Sequence, residues 1–505
     1  MPGGERRGLA RTFEWAVLVA CLAAQAWWLA PHATRPLTWD EVDYVVAARR
    51  GVLANLVDQG TWSPPGFVRF VAAKARGQSG DDVAEAEGYD EARDLFVLRH
   101  MHPPLWIAPL TPALAAAAPE PAARWTQLAW AAVLGLVFLL AARGLVPGRP
   151  ALIAAALAIV LLDPLLRYSL LEMHAHVAFA AAFLLPLVAV IGGAPAPVVG
   201  AALGVLFSVA TLGPAWSALW LVLLLPAASV RRSLADRAVW LQGAGAALAA
   251  VAILWPGGIF RLGLVQEHAF RAYSLFSIEG EEWSSAGGVV ADLLGRHPGL
   301  AALTLASVAA YALGLRRKDP ILLALGACAV AFTALSLPFL IIPRYVLGAV
   351  ALGVLAILAL ARDARPTVSR WGPWAALAVV ALLAWTGRGF PTPSAEDAEA
   401  NRREYAFVGE RVAAGELVAA EAGHIYLFYG AGSGPDRIGS VRVDYDGRRL
   451  IRRVGTHWEP FTGEDADRVV LLRRPGAEPP VFDSLAARCA REDRPVAVHF
   501  TCRRP

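Results

Sequence analysis

The stretches ALIAAALAIVLL (Ala151–Leu162) and AVALGVLAILAL (Ala349–Leu360) contain no charged residue. Hydrophobic residues make up 57% of the 505-residue chain and charged residues only 17%, whereas soluble domains carry about a quarter charged residues. Similar apolar runs recur at roughly the 20-residue length that is needed to cross a hydrocarbon core about 30 Å thick. The sequence therefore predicts a polytopic α-helical membrane protein.

These runs predict about eleven transmembrane helices. They lie near residues 11–30, 124–143, 150–167, 173–191, 195–211, 213–229, 238–256, 299–315, 320–338, 345–361 and 372–388. Two long segments interrupt them, a first outer loop at 31–121 and a second at 257–298. Together these parts form one predicted transmembrane module, residues 1–390.

Basic residues between the apolar runs predict the orientation. The clusters are Arg6-Arg7, Arg143 with Arg149, Arg231-Arg232 with Arg237, Arg316-Arg317-Lys318, and Arg362 with Arg365 and Arg370. All of them fall on one face, which the positive-inside rule makes cytoplasmic. The N-terminus is then cytoplasmic, and both long loops and the C-terminal segment are extracytoplasmic. A net charge of only +4 without a basic stripe argues against a nucleic-acid partner.

The segment 391–505 is as charged as an ordinary soluble domain, and we predict a small α/β domain there. The predicted helices are Glu396–Ala414 and Phe482–Arg491, and the predicted strands are Leu417–Ala420, Ile425–Tyr429, Arg437–Val443, Val469–Arg473 and Pro495–Thr501. Cys489 and Cys502 lie close together in this segment, where a disulfide requires an oxidising compartment. The other two cysteines, Cys21 and Cys328, sit in apolar runs and are predicted to be packing residues.

The first outer loop begins with Thr38-Trp39-Asp40-Glu41-Val42-Asp43-Tyr44, shortly after the first apolar run. Asp40 and Glu41 open a helical pattern that extends to Arg50. Acidic residues prefer helix N-termini, where they satisfy free N–H groups and the helix dipole. The alternative is a carboxylate that acts as general base on an acceptor hydroxyl or amine. Periodicity by itself favours the first interpretation and leaves the second open.

The same loop ends with His100-Met101-His102-Pro103-Pro104-Leu105. The two prolines favour an extended backbone and remove two donors, which predicts a rigid turn at the membrane surface. Two histidines are too few for a closed metal site.

The order of these pieces resembles the protein O-mannosyltransferase and aminoarabinose-transferase group of the GT-C glycosyltransferase superfamily. The resemblance rests on the Asp40-Glu41 pair and on His102-Pro103-Pro104-Leu105 before the second span. The short turn Arg167–Glu172 and Pro343-Arg344-Tyr345 agree with it. The chain departs from the group at Thr211-Leu212-Gly213-Pro214, where a Thr-Lys pair is usual, and this leaves the sugar carrier open.

The richness of the chain in Ala, Arg and Gly with few Lys suggests a GC-rich bacterial genome, and the apolar runs then predict an inner-membrane protein. What the resemblance implies is an enzyme that takes a sugar from a polyprenyl-phosphate donor and inverts its anomeric carbon. Asp40 would be the base, Glu41 would orient the site, and His102 would lie beside donor or acceptor. The leaving lipid phosphate needs a cation at the level of the lipid head groups. Arg344 is the first candidate, followed by Arg261, Arg271 and Arg167. For each arginine the alternative is head-group anchoring.

Further candidates would contact the sugar or its acceptor, which would be a protein, a glycan or a lipid. Tyr44, His100 and Trp39 lie in the first outer loop, and Trp39 could stack on a sugar ring. Glu172 lies where the fourth span begins. Glu281 belongs to an acidic patch in the second outer loop, which is either a solvated face or a site for a cationic acceptor or a divalent ion. No spacing supports an obligatory metal or other cofactor, although a divalent ion is compatible with these residues.

Two other classes of function compete with the transferase. A lipid or sugar transporter or flippase would place charges and broken helices near the middle of the bilayer, whereas the predicted spans are nearly free of charge. A non-catalytic GT-C-fold scaffold would keep the fold and lose the base, whereas Asp40 and Glu41 are both present.

Overall fold

The structure is a computed structural model. It describes residues 2–38, 40–51, 65–66, 69, 72–73, 76, 104–209, 236–256, 286–336, 346–362, 366–390, 392, 394–421, 423–430, 437–443, 448–454, 457–463, 465–473 and 478–502. Helices occupy most of the described residues before 390, and strands occur only after it in the described part.

The helices follow the apolar runs. In chain order they are α1 (Pro2–Leu29), α2 (Asp40–Arg50), α3 (Leu110–Ala116), α4 (Pro119–Leu145), α5 (Pro150–Leu161), α6 (Pro164–Leu170), α7 (His176–Ile191), α8 (Ala196–Phe207), α9 (Arg237–Leu254), α10 (Ala286–Arg296), α11 (Gly299–Arg317), α12 (Pro320–Ser336), α13 (Leu347–Arg362) and α14 (Pro366–Thr386). Proline opens α4, α5 and α6, because the first turn of a helix leaves its N–H groups unpaired and loses nothing by the substitution.

Four of these helices are long and apolar enough to cross a membrane within the described residues: α1, α4, α9 and α11. The bent pair α5–α6 would make a fifth, and six shorter apolar helices accompany them. Leu241 and Ile253 of α9 are more than 70% exposed, as expected for side chains that face lipid. The chain is therefore a mostly helical, polytopic membrane protein. The count of about eleven spans stays a prediction, and the span predicted near 213–229 lies outside the described residues.

Helices α8 and α9 pack closely through small residues. A Cβ atom added to Gly200 of α8 would overlap the backbone carbonyl of Gly243 in α9, and one added to Gly204 would overlap Ala247. Small residues four apart let two helix backbones approach, which is how apolar helices gain packing energy in lipid.

A break between α5 and α6 bends this apolar segment by 47°. Asp163 lies at the break and accepts a hydrogen bond from the backbone N–H of Leu165, which caps α6. Its other carboxylate oxygen lies 2.9 Å from Nε2 of His297, and both side chains are fully buried. The pair thereby ties the break to the residues that precede α11.

After residue 390 the described chain forms three helices and one sheet. The helices are α15 (Ala395–Ala413), α16 (Gly423–Tyr429) and α17 (Val481–Ala486), and the strands are β1 (Val418–Glu421), β2 (Ile438–Val443), β3 (Leu450–Val454), β4 (His457–Phe461), β5 (Arg468–Leu472), β6 (Ala490–Asp493) and β7 (Ala497–Thr501). The strand order is β4-β3-β2-β1-β5-β7-β6. β1 runs parallel to β2 and β5, and the other neighbours are antiparallel.

Two predictions in this segment are wrong. Ile425–Tyr429 was expected as a strand but forms most of α16, because Tyr426 and Tyr429, three residues apart, both face Tyr405 at ring distances of 5.5 and 5.0 Å. The helix expected over 482–491 ends at Ala486, and the following residues form β6, which pairs with β7 in a hairpin. The hairpin of β3 and β4 was not predicted.

Two of the four cysteines are bonded to each other, and the other two are free. Cys489 and Cys502 form a disulfide next to the β6–β7 hairpin. Cys21 and Cys328 are free and buried.

Candidate active site

Helix α2 begins a few residues after the first apolar helix ends. A 3-10 turn, Ala30–His32, follows α1, residues 33–38 form a linker after it, and Asp40 is the first residue of α2. The helical pattern predicted to open at Asp40-Glu41 is thus confirmed. The structure describes the backbone of Asp40 and not its side chain. The contacts of its neighbour Glu41 restrain the backbone at this helix start.

The Glu41 carboxylate is fully buried and is engaged on both oxygens. Oε1 pairs with Nη1 of Arg124 and accepts a hydrogen bond of 2.6 Å from the backbone N–H of Met173. Oε2 lies 3.2 Å from Nη2 of Arg124 and accepts from the backbone N–H and hydroxyl of Thr38 at 2.8 and 3.1 Å. Glu41 is therefore a structural anchor that orients this corner of the molecule, and its lone pairs are occupied.

Arg124 comes from the first turns of α4, and its side chain is fully buried. The fork-shaped guanidinium holds both oxygens of Glu41, a geometry that Lys could not provide. Sequence reasoning missed this residue and treated it as the start of a span. The signal was available, because an arginine at the outer end of a predicted span runs against the positive-inside trend.

Tyr44 and Glu172, two predicted substrate-binding residues, are brought together through His174. The Tyr44 ring meets Trp106 edge-on at 4.5 Å and faces His174 at 5.9 Å. Nε2 of His174 lies 3.6 Å from Glu172, and the His174 ring stacks on that of His176 at 5.7 Å. Tyr44 lies on α2, and the segment 172–176 also supplies the Met173 N–H to Glu41. An aromatic and acidic wall, formed by Tyr44, Trp106, His174 and Glu172, therefore lies beside the Glu41–Arg124 pair.

Arg167, a predicted donor-binding residue, lies between two tryptophans. Its guanidinium carbon is 5.6 Å from the ring of Trp28 and 4.9 Å from that of Trp385. These rings belong to α1 and α14, so Arg167 holds the ends of two apolar helices together by cation–π contacts. This environment favours the anchoring alternative for Arg167.

Arg35, in the linker, is a cation that sequence reasoning did not select. Burial lowers the pKa of its guanidinium, the Glu41 carboxylate opposes that shift, and Arg124 adds to it. Glu172 also acts on it. Arg35 is half-buried among the charged groups of the candidate site, and it precedes Asp40 by five positions in the chain.

The other predicted site residues lie outside the described residues. They are Trp39, His100, His102, Arg261, Arg271, Glu281 and Arg344. Within the described ranges, no group of three or more His, Cys, Asp and Glu side chains is arranged to hold a metal ion.

Comparison with known proteins gives a likeness at the level of fold. No protein-family model matches the chain, and no curated protein matches its sequence. Among solved structures, the apo oligosaccharyltransferase of Archaeoglobus fulgidus has a TM-score of 0.51 and 12% identity over 84% of this chain and 64% of that one. The undecaprenyl phosphate-bound ArnT of Cupriavidus metallidurans has a TM-score of 0.48 and 15% identity over 96% and 97% of the two chains.

At 12% identity, the likeness to the oligosaccharyltransferase concerns the fold and not the activity. The mannosyltransferase subgroup named in the sequence analysis stays a prediction. The chain is accordingly similar in fold to an oligosaccharyltransferase.

Proposed function

We propose that this protein is an inverting glycosyltransferase that moves a sugar from a polyprenyl-phosphate donor to a protein, glycan or lipid acceptor on the outer face of the membrane. The observation that carries the proposal is the anchoring of Glu41 by Arg124, Met173 and Thr38. This anchoring fixes the helix start at which the adjacent Asp40 stands, beside the wall of Tyr44 and Glu172. The order of the Asp40-Glu41 and His102-Pro103-Pro104-Leu105 motifs, which resembles that of GT-C glycosyltransferases, supports the same class of reaction.

In the proposed reaction Asp40 takes the proton of the acceptor hydroxyl or amine while the acceptor atom attacks the anomeric carbon. The bond between that carbon and the phosphate oxygen breaks, and the polyprenyl phosphate leaves with the electron pair. One displacement inverts the anomeric configuration and needs no covalent intermediate. Negative charge grows on the phosphate, so a fixed cation stabilises the transition state. Arg344, Arg261 and Arg271 remain candidates for it, and Arg35 joins them.

The proposed setting is the bacterial inner membrane, with residues 1–390 as the transmembrane catalytic module and 391–505 as an extracytoplasmic domain. The Cys489–Cys502 disulfide supports that sidedness, since structural disulfides persist in oxidising compartments. No metal is obligatory in this scheme, because the charges that it needs are those of arginine and carboxylate side chains.

The test is donor consumption by Asp40→Asn in membranes, measured with a panel of radiolabelled polyprenyl-phosphate sugars. Asn keeps the shape of the side chain and removes its basicity, and loss of a positioned base costs roughly 100-fold or more. Asp236→Asn is the matched control, because Asp236 caps α9 through the N–H of Ala238 and the predicted topology puts it on the cytoplasmic face. If Asp40 were only a helix cap, both variants would keep wild-type activity.

The outcomes separate the competing functions. Loss of transfer in Asp40→Asn with full transfer in Asp236→Asn supports the proposal and identifies the donor. Full transfer in both variants refutes Asp40 as the base. A wild type that consumes no donor in a complete panel refutes the transferase, and the transporter and scaffold hypotheses then take its place.

A further inference from the structure

The hydroxyl of Tyr429 bridges two distant parts of the candidate site. It accepts a hydrogen bond of 2.7 Å from the backbone N–H of Leu37, in the linker before Asp40. It also donates one of 3.0 Å to Oε1 of Glu120, in the first turn of α4. A single side chain from α16 thus joins the linker to the helix that carries Arg124.

Tyr429 is held in place by its own surroundings. Its ring stacks on Tyr405 of α15 at 5.0 Å with an interplanar angle of 11°. Burial and the neighbouring Glu120 carboxylate raise the pKa of Tyr429, so the hydroxyl keeps its proton. Only a protonated hydroxyl can donate to Glu120 while it accepts from Leu37.

Two successive residues of the linker, Leu37 and Thr38, are therefore linked to α4 by hydrogen bonds through a third side chain. Glu120 and Arg124 are four residues apart and lie on the same face of α4. Glu120 reaches Leu37 through Tyr429, and Arg124 reaches Thr38 through Glu41. These links restrain the chain immediately before and after the position of Asp40.

Two more contacts come from the same C-terminal helices. Arg402 of α15 donates to the backbone carbonyl of Thr34 in the linker. On the far side of Asp40, the guanidinium of Arg49 lies 5.1 Å from the ring of Phe428 in α16. Helices α15 and α16 thus contact the chain both before and after Asp40.

We propose that Tyr429 is a positioning residue of the active site, and that α15 and α16 hold the Asp40 segment in its reactive place. The inference rests on the proposed function, since it assigns a role for the C-terminal segment in the same reaction. Loss of the Tyr429 hydroxyl frees Leu37 and lets Asp40 move relative to the acceptor. Small displacements of a reacting group lower the rate of the chemical step more than they weaken binding.

The test compares Tyr429→Phe with Tyr426→Phe in the full-length protein in lipid nanodiscs. Tyr426 lies on the same short helix, is 1% exposed, and its hydroxyl has no hydrogen-bond partner within the described part of the chain. The two variants therefore remove the same atom from the same helix, and only one removes the bridge. Hydrogen exchange of a peptide spanning 33–41 reports the linker without reference to activity, and steady-state kinetics report the reaction.

We expect Tyr429→Phe to raise exchange of the 33–41 peptide while exchange of β1 and β5 stays at the wild-type level. We also expect kcat to fall about tenfold or more, with the KM values for donor and acceptor within about twofold of wild type. Tyr426→Phe should match wild type in both measurements.

Three results would overturn the inference in different ways. Wild-type exchange of 33–41 in Tyr429→Phe would show that the bridge does not restrain the linker. Raised exchange with an unchanged kcat in an active enzyme would show that the restraint has no catalytic role. Equal losses in Tyr426→Phe would show a general effect on α16. If wild type transfers no sugar while Tyr429→Phe raises exchange, the proposed function fails and the catalytic role assigned here fails with it, but the restraint on the linker stands.

Discussion

Glu41 and Arg124 form a fully buried ion pair in which the guanidinium meets both carboxylate oxygens. The two residues are 83 positions apart, one on the helix that Asp40 begins and the other on α4. Taking two charges out of water is costly, and the remaining partners, Met173 and Thr38, compensate that cost with three further hydrogen bonds.

Removal of one member of this pair should destabilise the protein strongly. Arg124→Gln leaves the buried Glu41 charge without its partner, and we expect a loss of about 3 kcal/mol or more in the free energy of unfolding. Unfolding in mixed detergent micelles measures it. Arg143→Gln is the control, because Arg143 lies on the same helix and pairs with Glu14 at 24% exposure. The control should lose less, and equal losses would contradict the anchoring role.

Arg35 should affect the donor more than the acceptor. If its guanidinium binds the lipid phosphate, Arg35→Gln should raise the KM for the polyprenyl-phosphate sugar about tenfold, which corresponds to one charge-assisted hydrogen bond. The KM for the acceptor should stay near wild type. Arg402→Gln is the variant with which this donor KM is compared, because Arg402 binds the backbone of the same linker at Thr34. A donor KM that is unchanged in Arg35→Gln would remove Arg35 from the candidates.

The close approach of α8 and α9 predicts a sharp difference between two glycines. Gly200→Ala forces a methyl group against the carbonyl of Gly243, and overpacking of this kind costs about 1–3 kcal/mol. Gly245→Ala, on α9, has nothing within 4 Å of the added Cβ and should be neutral or slightly stabilising. Thermal unfolding of both variants in detergent measures the difference. Similar midpoints for the two variants would contradict the packing.

The C-terminal sheet should lose stability in acid through Glu404. Burial opposes ionisation, but the hydrogen bonds and charges of His499 and Arg494 outweigh it and lower the pKa of Glu404 from its usual value of 4.5. A lowered native pKa contributes stability that is present above pH 4.5 and is lost as the pH falls through the native value. Glu404 lies on α15, and His499 lies on β7, so the group fastens the helix to the sheet.

Glu404→Gln tests this linkage. At neutral pH we expect the variant to lose about 2 kcal/mol relative to wild type, because bonds to a charged acceptor are replaced by weaker ones. The difference should shrink as the pH is lowered below 4.5. Hydrogen exchange of β7, compared between wild type and variant at each pH, measures it. A difference that stays constant down to pH 3 would exclude ionisation of Glu404 as the cause.

The local features of the chain were predictable, and the long-range ones were not. The helix expected over Glu396–Ala414 is found as α15 because Ser394 and Asp397 form a capping box, a signal contained in four consecutive residues. The start of α2 is also marked by a local contact, because Thr38 donates hydrogen bonds to Glu41, three residues further along the chain. Arg124 and Tyr429 act through partners 83 and 392 positions away, and no periodicity reports such pairs.

The strand was wrongly predicted at Ile425–Tyr429 because a contact with a distant residue, which local preference does not report, determines the structure there. Aromatic and β-branched residues favour strands by their intrinsic preference. In this chain a helix places both Tyr429, which stacks on Tyr405, and Tyr426, which meets Tyr405 edge-on, against the same ring. Tyr429, which was predicted to lie on a strand, therefore lies on a helix, and its hydroxyl contacts Leu37 and Glu120.

The contact between Leu37 and Tyr429 also has a consequence for biosynthesis. Leu37 is made early, whereas its partner follows 392 residues later. A ribosome adds roughly 5–20 residues per second, so the linker waits tens of seconds for the hydroxyl that completes its hydrogen bonding. The linker therefore reaches its final hydrogen-bonded position only after α16 has been synthesised and has folded against it.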